Sequence, residues 1–193
     1  LRARLHILAG AQRPVADHPR VLLPRRQLIA LGRAEADFAA PDTLGEIVAA
    51  HRPDVIVNAA AYTAVDAAED DRELAWTINA GAVGRLGEAA RKNGALVVHY
   101  STDYVFDGAG AEPQAEDAPT SPASVYGASK LAGEALLRES GADHLIFRTS
   151  WVYAPWGRNF PLTILRLAHE RDSITVVADQ VGAPTPAALI ASV

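Results

Sequence analysis

Asp54-Val55-Ile56-Val57-Asn58, a helical stretch from about Arg72 to Asn93, then Ala95-Leu96-Val97-Val98-His99-Tyr100 read together as strand, crossover helix and strand. Both short runs are apolar and rich in β-branched residues, without the polar alternation of a half-solvated strand. That pattern suits a parallel strand covered on both faces. Leu74, Ile78, Val83, Leu86 and Ala90 form the inward stripe of the helix between them, and Asn93-Gly94 closes it. The alternation extends both ways. Leu5 to Gly10 and Gln27 to Leu31 read as strands, each ending at or just before a glycine. Thr43 and Glu46 form a capping box before a short helix through Ala50. Asp107 to Ser124 is loop, rich in Gly, Pro, Asp and Ser. A helix follows from about Val125 to Glu139, then a strand over His144 to Arg148, a helix over Phe160 to Arg171, and a last short strand over Ile174 to Val177. The chain is therefore α/β, with a doubly wound parallel sheet built from right-handed crossovers.

Composition narrows the function classes. The 193 residues suffice for one domain with a core and part of another. Hydrophobic residues at 49% and charged residues at 21% are ordinary for a globular protein. A net charge of −5 argues against a nucleic-acid binder driven by phosphate contacts. No apolar run approaches the roughly 18 residues of a membrane span. No signal peptide is visible, so a cytoplasmic location without membrane contact is expected. Without cysteine there is neither a disulfide framework nor thiolate chemistry. The six histidines are scattered without metal-ligand spacing, so no metal site is expected. Only Lys92 and Lys130 are lysines. The chain begins at Leu1, contains no methionine and stops at Val193 after an apolar stretch, so both ends are expected to be incomplete.

In such a sheet, ligands bind at the carboxyl ends of the strands. After one strand comes Asn58-Ala59-Ala60-Ala61-Tyr62-Thr63, whose small residues let a flat ligand approach the backbone. After the next comes Ser101-Thr102-Asp103-Tyr104-Val105-Phe106, two hydroxyls and a carboxylate where a crevice is expected. A capped turn, with Asp103 serving local backbone donors, is the alternative. After the strand at 144–148 comes Thr149-Ser150-Trp151-Val152-Tyr153, with Trp151 and Tyr153 able to face a ring or to fill a core. Tyr126-Gly127-Ala128-Ser129-Lys130 opens a helix and sets a phenol and an ammonium one turn apart on one face. A free phenol, with a pKa of about 10, holds its proton too tightly for transfer at neutral pH. A fixed cation nearby lowers that value and makes the pair a general acid or base. In isolation, the same spacing also describes a buried aromatic beside a solvated lysine.

Four segments occur in order: Val57-Asn58-Ala59-Ala60-Ala61-Tyr62-Thr63-Ala64-Val65-Asp66, His99-Tyr100-Ser101-Thr102-Asp103-Tyr104-Val105-Phe106, the Tyr126 to Glu134 helix start, and Arg148-Thr149-Ser150-Trp151-Val152-Tyr153. Asp179-Gln180-Val181-Gly182-Ala183-Pro184-Thr185 adds a fifth. This set resembles the extended short-chain dehydrogenase/reductase superfamily and, within it, the dTDP-4-dehydrorhamnose reductases, from about Gln27 to Pro186. The resemblance implies a Rossmann-like NAD(P)-binding domain over residues 1–150. Residues 151–193 would begin a sugar-nucleotide-binding lobe, truncated at Val193. It implies hydride transfer from NADPH or NADH to the C4 ketone of dTDP-4-dehydro-L-rhamnose. Tyr126 would donate the proton. Lys130 would hold the nicotinamide ribose and lower the Tyr126 pKa. Thr102 would bind the substrate carbonyl, with Asp103 beside it and Trp151 on the sugar. Gly10, Ala61, Tyr62, Thr63 and Tyr100 would line the cofactor, and Asp37 and Phe38 would flank the adenine. Arg33, just after the second strand, is either a partner for a 2′-phosphate that favours NADPH or a surface arginine. A dTDP-sugar is the implied small-molecule partner, and a homodimer is compatible with it.

The resemblance has a gap. These enzymes open on a Gly-x-x-Gly-x-x-Gly loop that brings the backbone to the pyrophosphate. Here Gly10-Ala11-Gln12 is followed by Arg13-Pro14-Val15, and Pro14 and Pro19 disfavour the helix that should follow. Residues 13–24 read as foreign to the pattern, which predicts weakened cofactor binding. Two other functions share the fold. One is a non-catalytic binding or regulatory protein, like the regulatory subunit of methionine adenosyltransferase. The other is a nucleotide-sugar 4-epimerase or 4,6-dehydratase with the same Tyr-x-x-x-Lys. Intact Thr102, Tyr126 and Lys130 favour an enzyme, and the segments ending at Phe106 and Tyr153 favour the reductase.

Overall fold

The computed structural model describes residues 4–8, 27–110 and 112–193. Five strands form one sheet: β1 (Arg4–Leu8), β2 (Gln27–Leu31), β3 (Val55–Asn58), β4 (Leu96–Thr102) and β5 (His144–Thr149). Their spatial order is β2-β1-β3-β4-β5, and the pairings of β1 with β2, β1 with β3 and β3 with β4 are all parallel. The order reverses between β1 and β3, so a crevice opens outside the carboxyl ends of those strands.

The helices between the strands are α1 (Leu44–His51), α2 (Ala67–Asp70), α3 (Arg72–Trp76), α4 (Ala82–Asn93) and α5 (Val125–Glu139). α4 packs against α1 and α5. Val83, Leu86 and Ala90 of α4 are fully buried and join Leu44, Val48, Ile56, Val97 and Leu137 in the main core. Removing a side chain the size of Val83 or Leu86 from water is worth about 1.5–3 kcal/mol. Gly94 ends α4 in the left-handed conformation, φ 67°, with its N–H returned to Ala90 and Arg91.

Three sequence expectations need correction here. The helix expected over 72–93 is continuous but not uniform, because Thr77–Gly81 widens into a π-turn between α3 and α4. Leu74, placed inward by periodicity, is 38% exposed on the far side of that widening. Thr43 makes no capping box: it lies in helical conformation at the end of a 3-10 turn (Pro41–Thr43), and its hydroxyl donates to the Ala40 carbonyl. Residues 174–177 form no strand, and Val176 and Val177 are exposed. The strand expected over Leu5–Gly10 is described as far as Leu8.

The chain divides into two compact units: Leu1–Gly110 with Gln114–Arg148, and Thr149–Val193 with Ala111–Pro113. The second unit contains α6 (Phe160–Glu170), α7 (Ala187–Ile190) and a small parallel pair, β6 (Val152–Tyr153) with β7 (Thr185–Pro186). Asn159 caps α6, its side chain accepting the Leu162 N–H at 3.1 Å.

Candidate active site

The start of α5 is anchored twice. Ser124 caps it, with Oγ accepting the Gly127 N–H at 3.1 Å, and Glu69 of α2 accepts the Val125 N–H at 2.8 Å. These bonds satisfy two of the four free donors of the helix terminus and fix the turn that carries Tyr126. Two glycines let α5 approach backbone directly. A Cβ on Gly127 would overlap the Tyr104 carbonyl oxygen, and one on Gly133 would overlap the Asn79 carbonyl oxygen.

Tyr126 is half-buried, its ring packed edge-on against Tyr104 with centroids 5.6 Å apart. Burial pushes its phenol above the ordinary value; the Thr102 hydroxyl pulls it down, and Asp103 and Tyr104 push it up. The lowering by Lys130 expected from the sequence is not what sets the phenol here. Lys130 is instead turned into the sheet, 2% exposed, where Nζ donates to the Tyr100 carbonyl at 2.6 Å and lies 3.4 Å from His99 Nε2. Burial draws Lys130 down to about 8, against the pull of Glu134. Thr102 ends β4 and is 5% exposed. Its Oγ1 accepts the Tyr104 N–H and donates to Asp103, both at 3.2 Å. The strand-end turn and the polar cluster are thus one object: Thr102 caps the 3-10 turn Asp103–Val105 while facing Tyr126.

The segment after β3 is joined to α5 through Asn79, which sequence reasoning missed. Asn79 sits in the π-turn at 1% exposure. Its Oδ1 accepts the Tyr62 N–H at 2.8 Å, and its Nδ2 donates to the Tyr62 carbonyl at 3.1 Å and to Ser129 Oγ at 3.0 Å. Ser129 Oγ donates in turn to the Tyr126 carbonyl at 2.8 Å. Single π-turns inside helices often mark functional sites. The available signal was an asparagine beside Ile78 on the face assigned to the core. Ala61 and Tyr62 are half-buried and Thr63 is exposed. The Tyr62 hydroxyl donates to Asp71 at 2.8 Å, which raises its pKa.

Thr102, Asp103, Tyr100, Tyr126 and Lys130 therefore come together, and the Asn79 bridge links them to Tyr62. Of the residues after β2, Ala39 shares a cavity wall with Asp71, the partner of Tyr62. Arg33 is exposed and lies 3.5 Å from Asp37, while Phe38 is 4% exposed inside the main core, with little surface left to stack on an adenine. Gly10 and the segment 13–24 lie outside the described residues. Trp151 belongs to the second unit. Its backbone is left-handed, φ 44°, an uncommon state for a bulky residue. Its indole occupies the space a Cβ would need on Gly182, and its carbonyl accepts the Thr185 N–H at 3.2 Å. Among the described residues no cluster of acidic, His or Cys side chains is arranged to hold a metal, and no helix is long and apolar enough to cross a membrane.

A phenol, a hydroxyl and a buried lysine at a parallel-sheet crevice can bind a carbonyl and protonate its oxygen as it is reduced. For a nicotinamide ribose the half-buried Tyr126 keeps a phenol to offer, whereas Lys130 is committed to the Tyr100 carbonyl and would have to turn from it to reach a ribose hydroxyl. The chain is 56% identical over 165 residues to dTDP-4-dehydrorhamnose reductase of Burkholderia thailandensis, covering 86% of this chain and 55% of that one. It is 53% identical over 176 residues to the Escherichia coli K12 enzyme of the same name, covering 89% and 59%. The chain thus spans little more than half the length of these curated relatives. The crystal structure of dTDP-4-dehydrorhamnose reductase from Bacillus anthracis in complex with NADP superposes with a TM-score of 0.91 at 37% identity, over 98% of this chain and 68% of that one. The model of the RmlD substrate binding domain matches residues 9–193, and with it the chain belongs to the RmlD substrate binding domain family.

Proposed function

We propose that this chain carries the catalytic half of a reductase that converts the C4 ketone of dTDP-4-dehydro-L-rhamnose to the alcohol of dTDP-L-rhamnose with NADPH or NADH. The observation that carries the reading is the meeting of Thr102, Tyr126 and Lys130 at the carboxyl end of the sheet, in a chain similar to dTDP-4-dehydrorhamnose reductases. A reduced nicotinamide supplies the hydride when bound. Thr102 and Tyr126 hold the ketone oxygen from two sides. Tyr126 gives it a proton as negative charge develops there, and Lys130 holds the ribose. Ala61, Tyr62 and Thr63 form the wall after β3, with the Tyr62 backbone fixed by Asn79. Asp103 helps orient the Thr102 hydroxyl.

In the same reading, residues 1–150 bind the cofactor and residues 151–193 begin the sugar-nucleotide lobe, with Trp151 against the sugar. Arg33, now on Asp37, is the candidate to turn toward a 2′-phosphate and select NADPH. A cytoplasmic location and a homodimer belong to the same proposal. Fluorescence titration of the chain with NADPH and NADH tests it, followed by turnover of dTDP-4-dehydro-L-rhamnose monitored as loss of the reduced cofactor. Saturable binding with turnover is the expected result. Absence of binding at millimolar cofactor would overturn it for this chain.

A further inference from the structure

Asn58 on β3 and His99 on β4 are register partners, and both are buried, at 1% and 0% exposure. A polar pair inside a parallel sheet must place its hydrogens without conflict. The Asn58 carboxamide has one orientation available. Its Oδ1 accepts the Ala60 N–H at 3.0 Å, a donor that cannot be reversed, so Nδ2 faces His99 Nδ1 at 3.0 Å. The amide therefore donates and Nδ1 accepts. A neutral imidazole then carries its proton on Nε2. That N–H faces Lys130 Nζ across 3.4 Å. An ammonium there meets donor with donor. An amine meets it with a lone pair, and still has an N–H for the Tyr100 carbonyl at 2.6 Å.

We propose that His99 is a positioning residue for Lys130: Asn58 locks its ring as the Nε2–H tautomer, and the ring then meets Lys130 as a donor, favouring the neutral amine over the ammonium. Burial acts the same way, lowering both Lys130 and His99. Among the other titratable groups, Glu134, one turn further along α5, draws Lys130 toward the ammonium, but its carboxylate is already held by Arg138 and Arg148. Tyr126 lies one turn back on the same helix, and Asp103 and Tyr104 after β4 bear on Tyr126. Resting on the reductase reading, the consequence is that Lys130 takes a proton from solvent when ribose oxygens bring it acceptors.

The test needs neither cofactor nor turnover. The chain has two lysines, so 13C-labelled lysine gives two Cε signals, assigned with Lys92→Arg. Long-range 1H–15N spectra read the His99 tautomer. The expected result is an unprotonated Nδ1 and a protonated Nε2 from about pH 7 to 9, with Lys130 titrating at or below about 8. His99→Gln, whose carbonyl can accept from Lys130, should raise that midpoint by about one pH unit without adding charge. Asn58→Asp should move the His99 proton to Nδ1. An Nδ1–H tautomer or an imidazolium in the unsubstituted chain would overturn the proposal, as would a Lys130 midpoint unmoved by His99→Gln. Should the variants not fold, the tautomer of the unsubstituted chain decides alone. A correct tautomer in a chain without turnover would count against the reductase reading only.

Discussion

Lys130 is a potential cation placed where charge is costly, and that makes it measurable. Its folded-state value of about 8 lies below the ordinary lysine value of about 10.4. Between those values the unfolded chain holds more protons than the native one, so stability rises with pH across that window. Lys130→Met removes this contribution. Urea unfolding at several pH values from 7 to 10 should show the unsubstituted chain gaining on the variant as pH rises; a constant difference would contradict the placement of Lys130. Thr102 supports a second prediction. Thr102→Val keeps the shape but loses the hydroxyl beside Tyr126, and should lower turnover by roughly 10²- to 10³-fold, the scale of one lost hydrogen-bond donor at a reacting oxygen. Unchanged kcat would remove Thr102 from the site. The placement of Tyr126 and Lys130 at a helix start and of Thr102 at a strand end was legible in the sequence, because helix spacing and strand ends are local properties. The direction of the Tyr126 shift was not, since it depends on how deeply the ring is buried and on Lys130 turning toward Tyr100. Asn79 was hidden for a similar reason: its partners are 17 and 50 residues away.

At the scale of elements, α5 is positioned by what it lacks and by what caps it. Gly133→Ala drives a methyl into the Asn79 carbonyl, which is backbone and cannot swing aside. It should destabilise the chain by about 1–3 kcal/mol and disturb the bridge to Tyr62. Glu69→Ala removes the acceptor on the Val125 N–H and should cost on the order of 1 kcal/mol, read as a lower urea midpoint with an unchanged slope. The apolar runs of β3 and β4 announced strands because burial on both faces leaves a compositional trace. Ile174 to Val177 carries the same composition, but no strand pairs with it among the described residues, and β propensity without a partner builds nothing. The Thr43–Glu46 box failed because a 3-10 turn runs directly into α1 and leaves Thr43 in helical conformation.

For the molecule as a whole, Glu134 ties distant parts of the first unit together. Arg148 of β5 reaches it at 2.8 Å, donates to the Glu116 carbonyl and stacks over Phe106 at 5.1 Å, while Arg138 reaches it at 3.0 Å. Burial alone would raise the Glu134 carboxyl, but hydrogen bonds from Arg148, Ser101 and Arg138 outweigh it and hold it below the ordinary carboxylate value. The native chain thus keeps Glu134 ionised to lower pH than the unfolded chain. Its stabilisation is full above the unfolded value and is lost as pH falls through the folded one. Glu134→Gln removes the charge from a carboxylate whose two arginines keep some contact with solvent, should cost about 1–3 kcal/mol near neutrality, and should flatten the acid limb of the stability curve. The sheet was legible from the alternation of strand and helix, whereas this knot joins residues scattered from 101 to 148 and left no local trace. In the proposed reductase Tyr126 is the proton donor. Comparing the unsubstituted chain with Tyr126→Phe for NADPH affinity and for turnover of dTDP-4-dehydro-L-rhamnose isolates that role. Nearly equal affinity is expected, with turnover lower by on the order of 10²- to 10⁴-fold in the variant; equal turnover in the two chains would rule Tyr126 out as the donor.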